Sequence, residues 1–252
     1  MKLLLKKILV LVVSGVVFQS YAYSATLYWY LAASISKPGI EVTQNFNKSH
    51  TEFNVVVVPG GSGNLFSKIL ASRTGDLYTP AAEVYLEKSK QAGLVLSATK
   101  LLRQTPVFGL SQKSVNIIKT FQDLIKTDVR IALGNAKTMA LGKTYFKIEQ
   151  KLIPKMIKGI QNNTTVKAIN VNQIVNYVKL DIVDAGIMFD TVAKSHHLPY
   201  IRIPERSNVI ETAHLITLKF SQYPEHIKVF KKHLVENMRI FSKYGFYLEL
   251  VL

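Results

Sequence analysis

Residues 53–64 read FNVVVVPGGSGN, a run of β-branched residues that ends in a glycine-rich turn containing a serine. The run predicts a strand, and its nearly continuous apolar character is typical of a strand covered on both faces. Directly after the turn, apolar residues return at helical spacing at Leu65, Phe66, Ile69 and Leu70. The stretch therefore predicts a strand, a turn with a serine and a helix, in that order.

The same order occurs once upstream. Residues 26–31 (TLYWYL) predict a strand, residues 32–34 (AAS) supply the turn with its serine, and Pro38 fits the first turn of a helix. Further along the chain, residues 140–152 and 227–244 have the apolar spacing of helices. Strands that alternate with helices indicate an α/β fold built on mostly parallel sheets flanked by helices.

The composition excludes several classes of protein. The chain has 252 residues, no cysteine and a formal charge of +16, so disulfides, thiolate zinc sites and cysteine nucleophiles are excluded. Residues 1–7 (MKLLLKK), 8–18 (ILVLVVSGVVF) and 22–24 (AYS) have the layout of a secretory signal peptide cleaved near Ser24. We therefore expect an exported protein. Its basic charge does not indicate nucleic-acid binding, because no recognition motif is present.

Catalytic and metal-binding motifs are incomplete. Residues 60–64 (GGSGN) lack the second glycine of the G-x-S-x-G turn that carries the serine of many hydrolases. Residues 141–144 (LGKT) resemble the end of a phosphate-binding loop, but Lys137 stands where its first glycine would be. The six histidines show no metal-ligand spacing with carboxylates. We expect no enzyme, no cofactor and no coordinated metal; a hydrolase using Ser62 is the weakest alternative.

Anion binding is a stronger possibility. The N-terminus of a helix has unpaired N–H groups and a partial positive charge, so it binds oxyanions without a charged side chain. Ser34 and Ser62 each precede such a helix, and both follow the carboxyl end of a strand, where α/β proteins bind ligands. A site made only of donors prefers a fully deprotonated dianion, because a bound P–OH needs an acceptor. The alternative is that both serines merely cap their helices.

Five short motifs occur in a fixed order: residues 32–34 (AAS), 61–65 (GSGNL), 75–78 (GDLY), 185–189 (AGIMF) and 240–246 (IFSKYGF). In order and spacing they resemble the molybdate-binding components of bacterial ABC importers, which are two-lobed type II periplasmic solute-binding proteins. The resemblance covers nearly the whole chain after the signal peptide. It implies two α/β lobes with a ligand in the cleft between them.

The resemblance also implies the contacts to a tetrahedral oxyanion, molybdate or tungstate. Ser34 and Ser62 would each give a hydroxyl and a backbone N–H, and Leu141 and Val171 would each give a backbone N–H. The fifth donor in the family is a tyrosine hydroxyl, and this chain has Phe189 at that position. The adjacent Asp190, if turned inward, would accept a hydrogen bond from a protonated ligand such as phosphate, so that anion stays an alternative.

The resemblance implies lobe boundaries and partners as well. Lobe I would take residues 25–105 and 220–252, lobe II residues 106–219, and binding would shift the lobes from open toward closed. The closed protein, a monomer, would dock on an ABC permease in the inner membrane. The alternative is a module without transport, such as a sensor subunit or an adhesin, because a fold does not fix a function. The lysines Lys143, Lys147 and Lys151 would share one helix face, either solvated or facing a partner.

Overall fold

The computed structural model describes residues 25–249, so the predicted signal peptide lies outside the described residues. This part of the chain contains eleven strands and nine α-helices. The strands are β1 (Ala25–Ala32), β2 (Phe53–Gly60), β3 (Leu77–Thr79), β4 (Val95–Gln104), β5 (Pro106–Leu110), β6 (Ile131–Gly134), β7 (Thr164–Ala168), β8 (Ala185–Phe189), β9 (Tyr200–Arg202), β10 (Glu211–Leu218) and β11 (Tyr247–Leu248). The α-helices are α1 (Ser36–Ser49), α2 (Ser62–Ser72), α3 (Val84–Gln91), α4 (Ala140–Glu149), α5 (Pro154–Asn163), α6 (Val171–Lys179), α7 (Asp190–Ser195), α8 (Pro224–Glu236) and α9 (Arg239–Lys243). Short 3₁₀ helices occupy Ala33–Ile35, Gln112–Asn116, Phe121–Ile125 and Glu205–Ser207.

The first lobe is built on a six-stranded sheet with the order β11-β4-β10-β3-β1-β2. Its strand β1 lies between β3 and the edge strand β2 and is fully covered at Leu27 and Trp29. The Trp29 indole donates to Thr79 Oγ1 at 2.9 Å. The parallel register pairs Ala32 with Gly60. Strands β1 and β2 therefore end side by side, and the two serine turns that follow them are neighbours.

The second lobe is built on a five-stranded sheet with the order β7-β6-β8-β5-β9. Strands β7, β6 and β8 are parallel, whereas β5 runs antiparallel to β8 and β9. Helix α6 packs on this sheet with Ile174, Val175 and Val178 buried on one face. The segments that lead into α4, α6 and α7 all follow the carboxyl ends of the parallel strands. The three helices therefore begin at the same edge of the sheet.

The two α/β lobes confirm the predicted fold class. Both sheets are mixed, with parallel and antiparallel strand pairs. The parallel strands carry the helix N-termini that face the cleft, and the antiparallel strands lie beside them. Strand β2 is an edge strand with Val56 41% exposed, so the prediction that it is covered on both faces is wrong. A long run of valines does not distinguish an edge strand from a central strand, because β-branched residues favour both.

One lobe boundary also differs from the prediction. The predicted lobe II includes residues 211–218, but β10 pairs with β3 and β4 in the first sheet. The chain therefore crosses between the lobes at Thr105 and again before Glu211. An apolar strand such as β10 fits either sheet, and only its pairing decides which one it joins.

Two helices are shorter than the spacing of apolar residues in the sequence predicts. Helix α4 ends at Glu149, so Lys151 lies beyond it, and its Nζ donates to the carbonyl of Asn208 at 3.2 Å. The predicted C-terminal helix is broken between α8 and α9, where the Asn237 side chain donates to the His233 carbonyl at 2.8 Å. An asparagine that bonds the preceding turn competes with helix continuation. Within the described residues, no helix is long and apolar enough to cross a membrane.

Candidate functional site

A small cavity lies between the lobes, at the carboxyl ends of the parallel strands. The space open to the centre of a water molecule is about 20 Å³, which suits a small ion and is too little for an organic ligand. The residues that line it are Ala32, Ala33, Ser34, Gly60, Gly61, Ser62, Ala81, Met139, Ala140, Leu141, Asn170, Val171 and Phe189. All five residues that the sequence analysis assigned to the site are among them.

Ser34 presents an unpaired hydroxyl to this cavity. It lies in the 3₁₀ turn between β1 and α1, and its Oγ is buried without a hydrogen-bond partner. No side chain caps this turn or α1. A buried hydroxyl without a partner costs about 1–3 kcal/mol, so this orphan points to a ligand oxygen. The capping alternative for Ser34 is wrong.

Ser62 is held in a donating orientation. It is the first residue of α2 and is 2% exposed, and its Oγ accepts a hydrogen bond from the Ala81 N–H at 3.1 Å. Because that bond occupies a lone pair, the hydroxyl hydrogen remains free to donate. The Ser62 carbonyl is fixed by the Tyr78 hydroxyl at 2.7 Å. Gly61 is the N-cap of α2, so Ser62 does not cap the helix either.

The second lobe adds main-chain donors. Leu141 is the second residue of α4 and Val171 is the first residue of α6. The first N–H groups of a helix have no partner within it, so both positions carry donors at the edge of the cavity. Asn170 caps α6 by accepting from the Gln173 N–H at 3.1 Å. The side chains of Leu141 and Val171 are buried, and their identity does not determine the donor.

Phe189 closes the cavity with a ring that donates no hydrogen bond. It ends β8 and is 1% exposed. The neighbouring Asp190 is not turned inward. Its Oδ1 accepts from the Thr105 N–H at 3.0 Å and its Oδ2 pairs with Lys194 at 3.1 Å. Asp190 is the first residue of α7 and is not part of the cavity lining. Because both of its carboxylate oxygens have partners outside the cavity, it does not serve as an acceptor for a protonated ligand there.

The cavity lining contains no charged side chain and no histidine among the described residues. Positive potential therefore comes from the helix N-termini. A hydrolase using Ser62 would lack a base within this lining. Lys37 and His196 line an adjacent smaller pocket that also includes Ser34. Burial, with help from Lys37 and Lys179, lowers the pKa of His196 to about 4, so this imidazole is neutral at pH 7.

Direct contacts join the lobes around the cavity. The Gly63 N–H donates to the Thr138 carbonyl at 3.0 Å, and Lys37 Nζ donates to the Ser195 carbonyl at 3.2 Å. A Cβ at Gly61 would lie 2.7 Å from the carbonyl oxygens of Thr138 and Ile169. The lobes are therefore closed on each other.

A further interlobe contact involves a residue that the sequence analysis missed. Thr144 Oγ1 on α4 donates to Glu211 Oε1 at 2.6 Å, and the Glu83 N–H donates to Glu211 Oε2 at 3.3 Å. Glu211 is 3% exposed, and burial raises its pKa despite these bonds and the nearby Lys147. An acidic residue at the start of an otherwise apolar strand was the available signal.

Known proteins share this fold and part of this sequence. A sequence profile of a family described as bacterial extracellular solute-binding protein matches residues 27–247. The chain is 25% identical over 235 residues to YvgL of Bacillus subtilis, provisionally named an ABC transporter substrate-binding lipoprotein, covering 85% of this chain and 84% of that protein. Its fold is similar to the periplasmic molybdate-binding protein of Azotobacter vinelandii, with TM-score 0.74, 16% identity and 88% and 99% of the two chains covered. The sulfate-binding protein SubI of Mycobacterium tuberculosis H37Rv gives TM-score 0.77, 13% identity and coverage of 88% and 86%. At these identities the two solved structures support the fold alone.

Proposed function

The chain belongs to the bacterial extracellular solute-binding proteins, and on that basis we propose that it binds a tetrahedral dianion, molybdate or tungstate, in the interlobe cavity. The observation that carries the proposal is the buried Ser34 hydroxyl without a partner. It lies in a lining that also contains the donating Ser62 and the first turns of α4 and α6. Each of these groups gains a partner when an oxyanion enters.

The donor set favours an anion without a proton. The Ser62 hydroxyl already accepts from Ala81, and Asp190 faces away from the cavity. A ligand P–OH would therefore find few acceptors, and an unpaired buried donor costs about 1–3 kcal/mol. Phosphate carries a proton on a large fraction of molecules at neutral pH, whereas molybdate, tungstate and sulfate do not. We expect phosphate to bind least well.

Delivery to an ABC importer follows from the family. We expect the protein to work as a monomer in the periplasm, released there from its signal peptide. The closed, liganded form would then dock on the permease in the inner membrane. Closure is coupled to binding because Ser34 and Ser62 belong to one lobe and Leu141 and Val171 to the other, and a ligand held by all four is bound better by the closed state.

Thermal unfolding of the chain without its signal peptide tests the proposal directly. We expect molybdate and tungstate at about 100 times the dissociation constant to add about 2.7 kcal/mol, which raises the midpoint by about 5–10 °C for a chain of this size. Sulfate and phosphate are the third and fourth anions, and the melting midpoint is measured with each of them in the same way. Replacing Ser34→Ala should remove most of the shift, because a bond to a charged ligand is worth about 1.5–3 kcal/mol.

Ser67→Ala is the matched control, since Ser67 is an exposed serine on α2. It should keep the full ligand-induced shift. A shift that survives both Ser34→Ala and Ser62→Ala would contradict the site. A shift with phosphate larger than that with molybdate would contradict the proposed ligand class.

A further inference from the structure

A second cavity lies on the outer face of the first lobe, between α8 and the strands β4 and β10. Its volume is about 720 Å³, within the range of about 300–1,000 Å³ that holds small organic ligands. It shares no lining residue with the interlobe cavity. The residues that line it are Leu96, Ser97, Thr217, Ser221, Pro224, Ile227, Lys228, Lys231, Lys232, Val235 and Glu236.

The wall of this cavity is largely apolar. Leu96, Pro224, Ile227 and Val235 supply most of it, and Leu96 is 64% exposed although it lies in a strand. Burying such apolar surface against a ligand stabilises the complex by about 25 cal/mol for each Å² removed from water. A ligand with an apolar body therefore gains free energy here.

One polar group stands out in this apolar surface. Lys231 is half-buried, and its Nζ donates to Thr217 Oγ1 at 2.6 Å and to Ser97 Oγ at 3.4 Å. No ion pair to Lys231 occurs among residues 25–249, whereas the neighbouring Lys232 pairs with Glu236 at 3.9 Å. Burial lowers the pKa of Lys231. A carboxylate beside this ammonium would form a charge-assisted bond and offset the cost of burying it.

We propose that this cavity binds an amphipathic carboxylate, with the carboxylate on Lys231 and the apolar body over Leu96, Ile227 and Val235. The sign of the charge follows from the lining. Lys228, Lys231 and Lys232 face one acidic residue, Glu236, which is already paired with Lys232. The site is independent of the interlobe cavity, so it stands whether or not the proposed oxyanion is the ligand there.

Calorimetric titration with hexanoate, octanoate and decanoate tests this site, with 1-octanol as the uncharged analogue. Octanoate should bind one to one, and affinity should rise by up to about fourfold for each added methylene. Lys231→Met should weaken octanoate at least tenfold and leave octanol unchanged. Lys48→Met removes the same charge from an exposed lysine on α1 of the same lobe, outside the lining of this cavity, and should change octanoate by less than threefold.

Two more variants keep the test decisive. Leu96→Asp places a carboxylate in the wall at an exposed position that the fold does not need, and it should abolish octanoate binding while the protein melts as before. Ser34→Ala should leave octanoate binding intact, which separates this site from the interlobe cavity. Equal affinity for octanoate and octanol, equal losses in Lys231→Met and Lys48→Met, or no binding at 5 mM would each overturn the proposal.

Discussion

Phe189 lines the interlobe cavity with a ring that donates no hydrogen bond. Its ring is 1% exposed and lines the cavity directly, and the molybdate-binding proteins that the sequence resembles have a tyrosine hydroxyl there. If the proposed ligand is correct, Phe189→Tyr adds a bond to a charged oxygen worth about 1.5–3 kcal/mol. We expect molybdate affinity to rise at least about tenfold in a calorimetric titration.

The competing effect at Phe189 is steric. A hydroxyl placed in a cavity of about 20 Å³ consumes space that the ligand needs, and overpacking costs about 1–3 kcal/mol. Weaker binding of both molybdate and the smaller sulfate in Phe189→Tyr would mean that the ring shape, rather than a missing donor, defines the cavity.

At the scale of elements, the turn before α2 decides whether the lobes close. Gly61 has φ −67° and ψ 133°, which alanine adopts without strain, yet its Cβ would lie 2.7 Å from two carbonyl oxygens of the second lobe. Gly61→Ala should therefore fold normally and fail to close. Losing the N–H donors of α4 and α6 should weaken oxyanion binding about a hundredfold or more, measured by titration.

Asn64→Ala is the control for that variant, because Asn64 is exposed in the first turn of α2, three residues from Gly61, and alanine suits a helix. It should bind like the unaltered protein. Unchanged affinity in Gly61→Ala would show that the first lobe alone holds the ligand. A lowered melting temperature without ligand would show that the glycine is needed for folding instead.

The Thr144–Glu211 contact between α4 and β10 predicts a pH dependence. Burial raises the pKa of Glu211 above its ordinary value of 4.5, so the folded protein holds this proton more tightly than the unfolded chain does. The free energy of unfolding therefore falls as pH rises through the window above 4.5. Glu211→Gln keeps a hydrogen-bonding side chain without the buried charge. It should melt higher than the unaltered protein at pH 7, with the difference vanishing near pH 4.

A difference that persists at pH 4 would assign the effect to packing rather than to the charge. Glu205→Gln is the matched control, because Glu205 is exposed near the same crossing. It should leave the melting temperature unchanged across the whole range.

The elements that could be predicted from sequence are those whose signal is local. The strand, serine turn and helix at residues 53–72 are encoded by composition and spacing, which depend only on neighbouring residues. Pairing is not local, so the place of β10 in the first sheet could not be read from its apolar pattern. The direction of Asp190 depended on its partners Thr105 and Lys194, and the buried role of Glu211 depended on Thr144 in the other lobe.

For the whole molecule, the positive formal charge should speed the capture of an anion; it is +16 for the full chain and +13 once residues 1–24, with Lys2, Lys6 and Lys7, are removed. Summed charge steers association and is screened by salt, with a Debye length of about 30 Å at 0.01 M and 8 Å at 0.15 M. We expect the association rate constant for molybdate in stopped flow to fall about tenfold between 0.01 and 0.5 M salt. The dissociation rate should change little, because the bound ion is shielded from solvent.

Ser34→Ala has the same net charge as the unaltered protein and serves as the control for this effect. Its association rate should show the same salt slope, and its dissociation should be faster at every salt concentration. A salt effect confined to dissociation would mean that the charge acts on the closed state and not on encounter.

The main-chain donors of the interlobe cavity also bear on how its ligand preference could change over evolution. Leu141 and Val171 offer N–H groups that persist whatever side chain a mutation installs, provided that α4 and α6 still form. Side-chain substitutions at these two positions should therefore have little effect on ligand recognition. Ser34, Ser62 and Phe189, by contrast, present side chains to the cavity, and a single base change there alters the lining directly. If the proposed ligand is correct, we expect a change of anion in a lineage to involve side-chain positions such as these rather than Leu141 or Val171.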